Sequence, residues 1–291
     1  MKELINHITA QLEVAYPNDE AQALAWWIVE EETGLSRSQL ICGCKDTTFS
    51  PHMQEIVTRL LHFEPIQYIF GHTLWNGLDL KVTPATLIPR PETAELVEKV
   101  ERFKVKGERL KVLDIGTGSG CIAIGLKKAH HEWQVTGIDI SEDAIEVAKE
   151  NAKRNGVEVE FKVADIFGIQ NTEYRLQTDF EIVVSNPPYI CESEKSSMRP
   201  NVLAYEPASA LFVPDNDPLK FYRRIAELKM GKYLFFEINE AYPQELADML
   251  KELGYEDIQI TNDIYGKPRI IEARMARQGR SLLCESGALC S

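Results

Sequence analysis

KVLDIGTGSGCIAIGL, at residues 111–126, decides the fold. Lys111 to Ile115 is a short, mostly apolar run that reads as a buried strand, and it carries a carboxylate, Asp114, near its end. Gly116, Gly118 and Gly120 follow, with Thr117 and Ser119 between them. Glycines permit a tight turn and a close approach to the backbone, and the helix that starts after them offers unpaired N–H groups. Asp139 ends the next strand, VTGIDI, 19 residues after Gly120, where it can accept from both hydroxyls of a ribose. A glycine cluster alone is a common strand-to-helix turn. Cluster and placed acid together predict a nucleotide-type site at the carboxyl end of the first strand of an open sheet.

Downstream the text keeps alternating. SEDAIEVAKENAKRNG is an amphipathic helix closed by Gly156, and VEFKVADIF is a third strand. DFEIVVS, a helix around PLKFYRRIAELK, the strand KYLFFEI and the helix AYPQELADMLKELG follow. YEDIQITND and RIIEARMA read as a terminal antiparallel pair at the sheet edge. Strands alternating with helices of this length predict a mostly parallel sheet covered on both faces.

Asp114 bears on the cofactor. A dinucleotide places its pyrophosphate at the helix start, where an extra carboxylate would repel it. A cofactor with a cationic centre and an amino-acid moiety suits Asp114 better, and S-adenosylmethionine has both. Asp165, after the third strand, offers a polar contact for an adenine, and Phe167 an aromatic wall beside it. No phosphate-loop ending GK[ST] is present, which disfavours ATP hydrolysis.

Asn186-Pro187-Pro188-Tyr189 follows the strand EIVVS directly. Two prolines stiffen the backbone and remove two donors, leaving the Asn186 side-chain carbonyl and the Pro187 main-chain carbonyl as acceptors for a single NH₂ group. Methylating a planar amide or amino nitrogen needs this, because its lone pair is delocalised and must be oriented toward the methyl donor. Tyr189 is expected to stack on the flat group and exclude water. No covalent nucleophile or metal ligand set accompanies the motif, and the proton can leave after methyl transfer.

Upstream, residues 1 to about 70 read as helical. AQALAWWIVEEETG sets Ala21, Leu24, Trp27 and Ile28 on one face, and PHMQEIVTRLL sets Met53, Ile56, Leu60 and Leu61 on another. Trp26 and Trp27 are expected in the core. Asn76-Gly77 predicts a β-hairpin turn between Leu74-Trp75 and Leu78-Asp79-Leu80. A helix from about Thr93 follows the proline-stiffened stretch around Arg90.

The chain has 291 residues, 45 acidic against 32 basic, for a net charge of -13. With 44% hydrophobic and 26% charged residues it is neither disordered, fibrous nor a disulfide miniprotein. The acidic balance counts against a partner held through nucleic-acid phosphates. The start of the chain is too polar for a signal peptide, no apolar run is long enough to span a membrane, and the six cysteines are expected as free thiols in a reducing cytoplasm.

Asp114 to Gly120, Asp139 and Asn186 to Tyr189 resemble the class I S-adenosylmethionine-dependent methyltransferases that modify amino or amide nitrogens. Ile66 to Gly71 after Pro65, IPRPET at 88–93, EPASAL at 206–211 and Gly266 to Arg269 resemble, more narrowly, the peptide-chain release factor glutamine methyltransferases. The resemblance spans roughly residues 10 to 275. It implies a Rossmann-like α/β fold with a seven-stranded, mostly parallel sheet and a small N-terminal helical domain. The expected division is 1–72 helical and substrate-recognising, 73–88 a hairpin linker, 89–277 the methyltransferase domain and 278–291 a frayed tail.

The resemblance implies methyl transfer to the glutamine of the Gly-Gly-Gln motif in bacterial release factors 1 and 2, by a cytoplasmic monomer without stable nucleic acid. Cofactor contacts carry over to Asp114, Gly116, Thr117, Gly118, Ser119, Gly120, Asp139, Asp165, Phe167 and Asn186. The glutamine pocket carries over to Asn186, Pro187, Pro188 and Tyr189, with Asn186, Pro187 and Tyr189 catalytic and Arg90 and Glu92 shaping the wall. Two departures are visible: Phe167 stands where relatives often have tryptophan, and Phe212 to Pro218 replaces a glycine-rich stretch. The alternatives are an adenine or guanine N-methyltransferase acting on RNA or DNA, an interaction module that kept the fold, and an NAD-dependent dehydrogenase. The first lacks a basic groove, the second is opposed by intact Gly118 and Asn186, and the third by Asp114 and the want of a proton donor.

Overall fold

A computed structural model describes residues 1–43, 48–103, 109–168 and 180–276. Cys44, Cys284, Cys290, most of the basic run from Lys104, and the tail 278–291 lie outside the described residues.

Helices α1 (Lys2–Leu12), α2 (Asn18–Thr33), α3 (Arg37–Cys42), α4 (Pro51–Leu61) and α5 (Ile66–Phe70) enclose a core of their own. Local signals set their ends. Gly34 closes α2 at φ 65, and Ser50 caps α4 by accepting the Met53 N–H at 3.0 Å, with Pro51 in the first turn. The buried faces differ from the expected ones. In α2 the stripe is Ala21, Ala25, Ile28 and Val29, while Leu24, Trp26 and Trp27 flank the core half-buried. The tryptophans are too large to enter a seam of small side chains, and Trp26 lies instead under the Arg37 guanidinium at 4.5 Å. In α4 Val57 joins Met53, Ile56 and Leu60, and Leu61 sits at the margin.

β1 (His72–Trp75) and β2 (Leu78–Lys81) form the predicted hairpin, with Asn76 at φ 46 and Gly77 at φ 74, as a two-residue primed turn requires. Its buried Trp75, Leu78 and Leu80 join the core between the main sheet and helices α6 (Pro91–Glu101) and α7 (Cys121–Ala129). Helix α8 (Glu142–Arg154) holds it as well. Fully buried Asn151 accepts the Lys81 N–H at 2.6 Å and donates to the carbonyls of Lys81 and Ser119, each at 2.9 Å. One amide thus ties the hairpin to the glycine turn.

The main sheet comprises β3 (Lys111–Ile115), β4 (Gln134–Asp139), β5 (Glu160–Val163), β6 (Phe180–Ser185), β9 (Gly231–Glu237), β10 (Tyr255–Asn262) and β11 (Pro268–Met275). Between β6 and β9 the short strands β7 (Ile190–Cys191) and β8 (Phe212–Val213) pair in parallel, with helix α9 (Pro200–Tyr205) between them in sequence. The main order is β10-β11-β9-β6-β3-β4-β5, parallel from β9 to β5 and antiparallel through β11. This is the expected seven-stranded, mostly parallel α/β sheet. The second sheet face buries α10 (Lys220–Leu228) and α11 (Pro243–Glu252). β4 and β5 extend from β3 to one side and β6 and β9 to the other, so strand order reverses between β3 and β6. Open α/β sheets bind ligands outside the carboxyl ends of strands at such a reversal.

The departure at 212–218 has a defined shape. Phe212 lies under the Lys195 ammonium at 4.3 Å, and Asp215 accepts the Ser193 hydroxyl at 2.7 Å. Among the described residues no helix is long and apolar enough to cross a membrane, and Cys42, Cys121 and Cys191 are free thiols.

Candidate active site

Ile115 of β3 and Ser185 of β6 are register partners, and the Ser185 hydroxyl donates to the Ile115 carbonyl at 2.6 Å. The residues that follow them, Gly116 and Asn186, therefore leave the sheet side by side. A cavity of about 460 Å³ opens there, a volume suited to a small-molecule cofactor. Gly116 to Ser119, Asp139, Asp165, Phe167, Asn186, Pro187, Pro188 and Arg90 all line it.

The glycine turn works in two ways. Gly116 and Gly118 have φ 71 and 54, and a Cβ on Gly116 would meet nothing within 4 Å, so its missing side chain leaves room for a ligand. Gly120 is confined instead, since a Cβ there would stand 3.0 Å from Ile124 and 3.1 Å from Ala148. It serves close packing of helix on sheet and does not line the cavity. Gly137, which motif reading passed over, is tighter still: a Cβ would meet the Phe161 ring at 2.7 Å and the Thr117 hydroxyl at 2.8 Å.

Asp139 Oδ2 accepts the Gly118 N–H and Oδ1 the Ser141 N–H, each at 2.9 Å. Each oxygen keeps a second lone pair for a ribose hydroxyl. Asp165 Oδ1 accepts the Phe167 N–H at 2.8 Å, which fixes the turn that presents Phe167, 40% exposed, to the cavity. The Lys220 ammonium lies 4.9 Å over that ring. An open glycine cradle, a carboxylate with spare acceptors and an aromatic wall fit an adenosyl group.

Four expected contacts fall elsewhere. Asp114, like Gly120, is behind the wall: its carboxylate is fully buried beneath the turn, where Oδ2 accepts the Thr117 hydroxyl at 2.6 Å. Burial pushes its pKa up to about 7, with the Asp139 charge adding to the rise and the Thr117 hydroxyl opposing it. Tyr189 does not stack in the cleft. Its hydroxyl donates to Glu237 Oε1 at 3.1 Å, and its ring packs on the core shared with α10 and α11. Glu92 does not line the cavity either, because α6 turns it aside and presents Thr93 instead.

Arg90 is held from below. Its guanidinium donates to Glu206 Oε1 at 2.6 Å, and Glu206 Oε2 accepts the Ile88 N–H at 3.2 Å. Two motifs far apart in sequence thus form one wall. Thr93, Asn151 and Glu237 are the residues sequence reading missed. The signal for Glu237 was a lone acid closing the apolar run KYLFFEI.

A family model described as a methyltransferase domain matches residues 106–258, and one described as the PrmC N-terminal domain matches residues 3–71. A release factor glutamine methyltransferase of Bacteroides thetaiotaomicron is 43% identical over 285 residues, covering 94% of this chain and 99% of the relative.

The chain belongs to the release factor glutamine methyltransferases.

A second such methyltransferase, from Streptococcus pneumoniae, is 40% identical over 225 residues, covering 75% of this chain and 78% of its own. Among solved structures, the hMettl16 catalytic domain in complex with a 3'UTR hairpin shares the fold at TM-score 0.55 and 16% identity, covering 82% of this chain and 87% of that one. A methyltransferase from Pyrococcus furiosus does so at TM-score 0.50 and 20% identity, covering 75% and 96%. As a release factor glutamine methyltransferase the chain is an enzyme, and S-adenosylmethionine is its methyl donor.

Proposed function

We propose that this enzyme methylates the side-chain amide nitrogen of the glutamine in the Gly-Gly-Gln motif of bacterial class 1 release factors, release factors 1 and 2. The observation that carries this reading is the state of Asn186. Its Nδ2 donates to Thr93 Oγ1 at 3.2 Å, so its carbonyl oxygen is the group left to accept on the cavity wall. An NH₂ group donates two hydrogen bonds. The Asn186 side-chain carbonyl takes one and the Pro187 main-chain carbonyl the other, since proline at 187 and 188 leaves no competing N–H.

S-Adenosylmethionine supplies a methyl group on a cationic sulfur, which leaves without its bonding electrons. The two carbonyls hold the amide nitrogen so that its lone pair faces that methyl, and they favour the positive charge that grows on nitrogen as the N–C bond forms. Once charged, the nitrogen is strongly acidic and releases its proton to water. Gly116, Thr117, Gly118, Ser119, Asp139, Asp165 and Phe167 place the cofactor. Pro187, Pro188 and Arg90 bound the glutamine, while Asp114, Gly120, Glu92 and Tyr189 act from behind the wall.

Residues 1–72 serve as the recognition unit for the release factor, with the hairpin at 73–88 joining it to the catalytic unit at 89–277. The enzyme works in the cytoplasm as a monomer, without stable nucleic acid. Incubation with S-adenosylmethionine and a release factor, followed by mass spectrometry of the peptides, tests the reading. Methyl on the Gly-Gly-Gln glutamine is expected; methyl confined to other residues overturns it.

A further inference from the structure

Glu237 ends β9 one residue beyond Phe236, the register partner of Ser185, so it stands beside Asn186 at the carboxyl edge. It is 1% exposed and lies outside the lining of the cavity. Oε2 accepts the Thr93 hydroxyl at 2.7 Å and Oε1 the Tyr189 hydroxyl at 3.1 Å. Thr93 is buried as well, and its oxygen is the acceptor for Asn186 Nδ2.

A hydroxyl has one proton, and a carboxylate only accepts. Thr93 therefore spends its proton on Glu237 and meets Asn186 with a lone pair. Only the NH₂ end of the Asn186 amide can answer a lone pair. The carbonyl end is then turned to the substrate. We propose that Glu237, acting through Thr93, is the positioning residue that fixes which end of the Asn186 amide faces the substrate, and so makes the site select side chains presenting an NH₂ group. This rests on the orienting role given to Asn186 above.

The two ends of an amide have nearly the same shape, so packing alone cannot choose between them. A turned-over Asn186 would set donor against donor and leave the substrate NH₂ unpaired, a mismatch that polar sites reject strongly. The charged and titratable groups facing Glu237 are Glu92 from α6, Cys121 from α7, Tyr189 after β6, Tyr222 from α10 and Arg269 from β11. Burial raises the Glu237 pKa, while the two donated hydroxyls and the Arg269 charge oppose the rise.

Glu237→Leu keeps much of the volume but offers Thr93 no acceptor, which releases the Thr93 proton toward Asn186. Thr93→Val removes the relay, and Thr93→Ser keeps it. With a release factor and labelled S-adenosylmethionine, Glu237→Leu and Thr93→Val are each expected to lower kcat by at least about tenfold. S-Adenosylhomocysteine should bind each within about twofold of the parent, and Thr93→Ser should recover most of the turnover. Parental turnover in Glu237→Leu, or equal turnover in the Val and Ser variants, overturns the proposal. Loss of cofactor binding in step with turnover does so too, and if Glu237→Leu fails to fold, the Thr93 pair decides. Asn186→Ala run in parallel separates the two claims. If it stays active the orienting role itself fails; if it alone is inactive, only the relay fails.

Discussion

Asp139 Oδ2 accepts the Gly118 N–H at 2.9 Å across a sequence separation of 21. The acid that closes β4 thereby fixes the glycine turn that opens after β3, and it still has lone pairs to offer a ribose. One side chain shapes the cradle and, in the proposed reading, also binds its occupant. Asp139→Ala removes both effects. The dissociation constant for S-adenosylhomocysteine, measured by calorimetry, is expected to rise about tenfold or more, the equivalent of one to two charge-assisted hydrogen bonds. An unchanged constant contradicts the ribose assignment.

Asn151 is a stability prediction. Alanine there leaves the Lys81 N–H and the carbonyls of Lys81 and Ser119 without this partner. An orphaned group costs about 1–3 kcal/mol where water cannot reach it; with Ser119 buried and the two Lys81 groups part-buried, a loss of about 3 kcal/mol or more is expected in urea unfolding. The hairpin and the glycine turn share this anchor. Asn151→Ala should therefore weaken cofactor binding as well as the fold, and a variant that keeps parental stability refutes the anchor.

Asp114 gives stability a pH dependence of known sign. The carboxyl titrates near about 3.9 in the unfolded chain, and burial pushes it up to about 7 in the folded one. Between those values the folded chain holds a proton the unfolded chain has released. Its contribution to stability falls as pH rises through the window and is level above it. Asp114→Asn stays neutral and can still accept from Thr117. Its stability relative to the parent should grow between pH 4 and pH 8 by an amount on the order of 2–4 kcal/mol. A gap independent of pH contradicts the buried, protonatable carboxyl.

The sheet and its switch point were legible because the pattern of strands, glycine turn and acid is local. The end of β3, the Asn76-Gly77 turn and the antiparallel closing pair stand where the residues predicted them. What escaped was non-local. Asn151 looks like an ordinary polar residue on an amphipathic helix, and only the packed hairpin gives it three backbone partners. Tyr189 follows two prolines next to the site, yet it packs half-buried against the core, where Glu237 takes its hydroxyl. Trp26 and Trp27 carry the largest apolar surfaces of α2, but the buried face is Ala21, Ala25, Ile28 and Val29, and the tryptophans pack half-buried at its edge. Pairings of distant residues decide each of these, and no periodicity encodes them.

The central claim is that the end of β6 presents two acceptors to the NH₂ group of one glutamine. Label transfer from S-adenosylmethionine to a purified release factor, beside its Gly-Gly-Gln to Gly-Gly-Ala variant, tests it most directly. Label on the parent factor, none on the variant and little with Asn186→Ala enzyme is the predicted result. Equal label on both factors, or label on nucleic acid instead, would contradict the account.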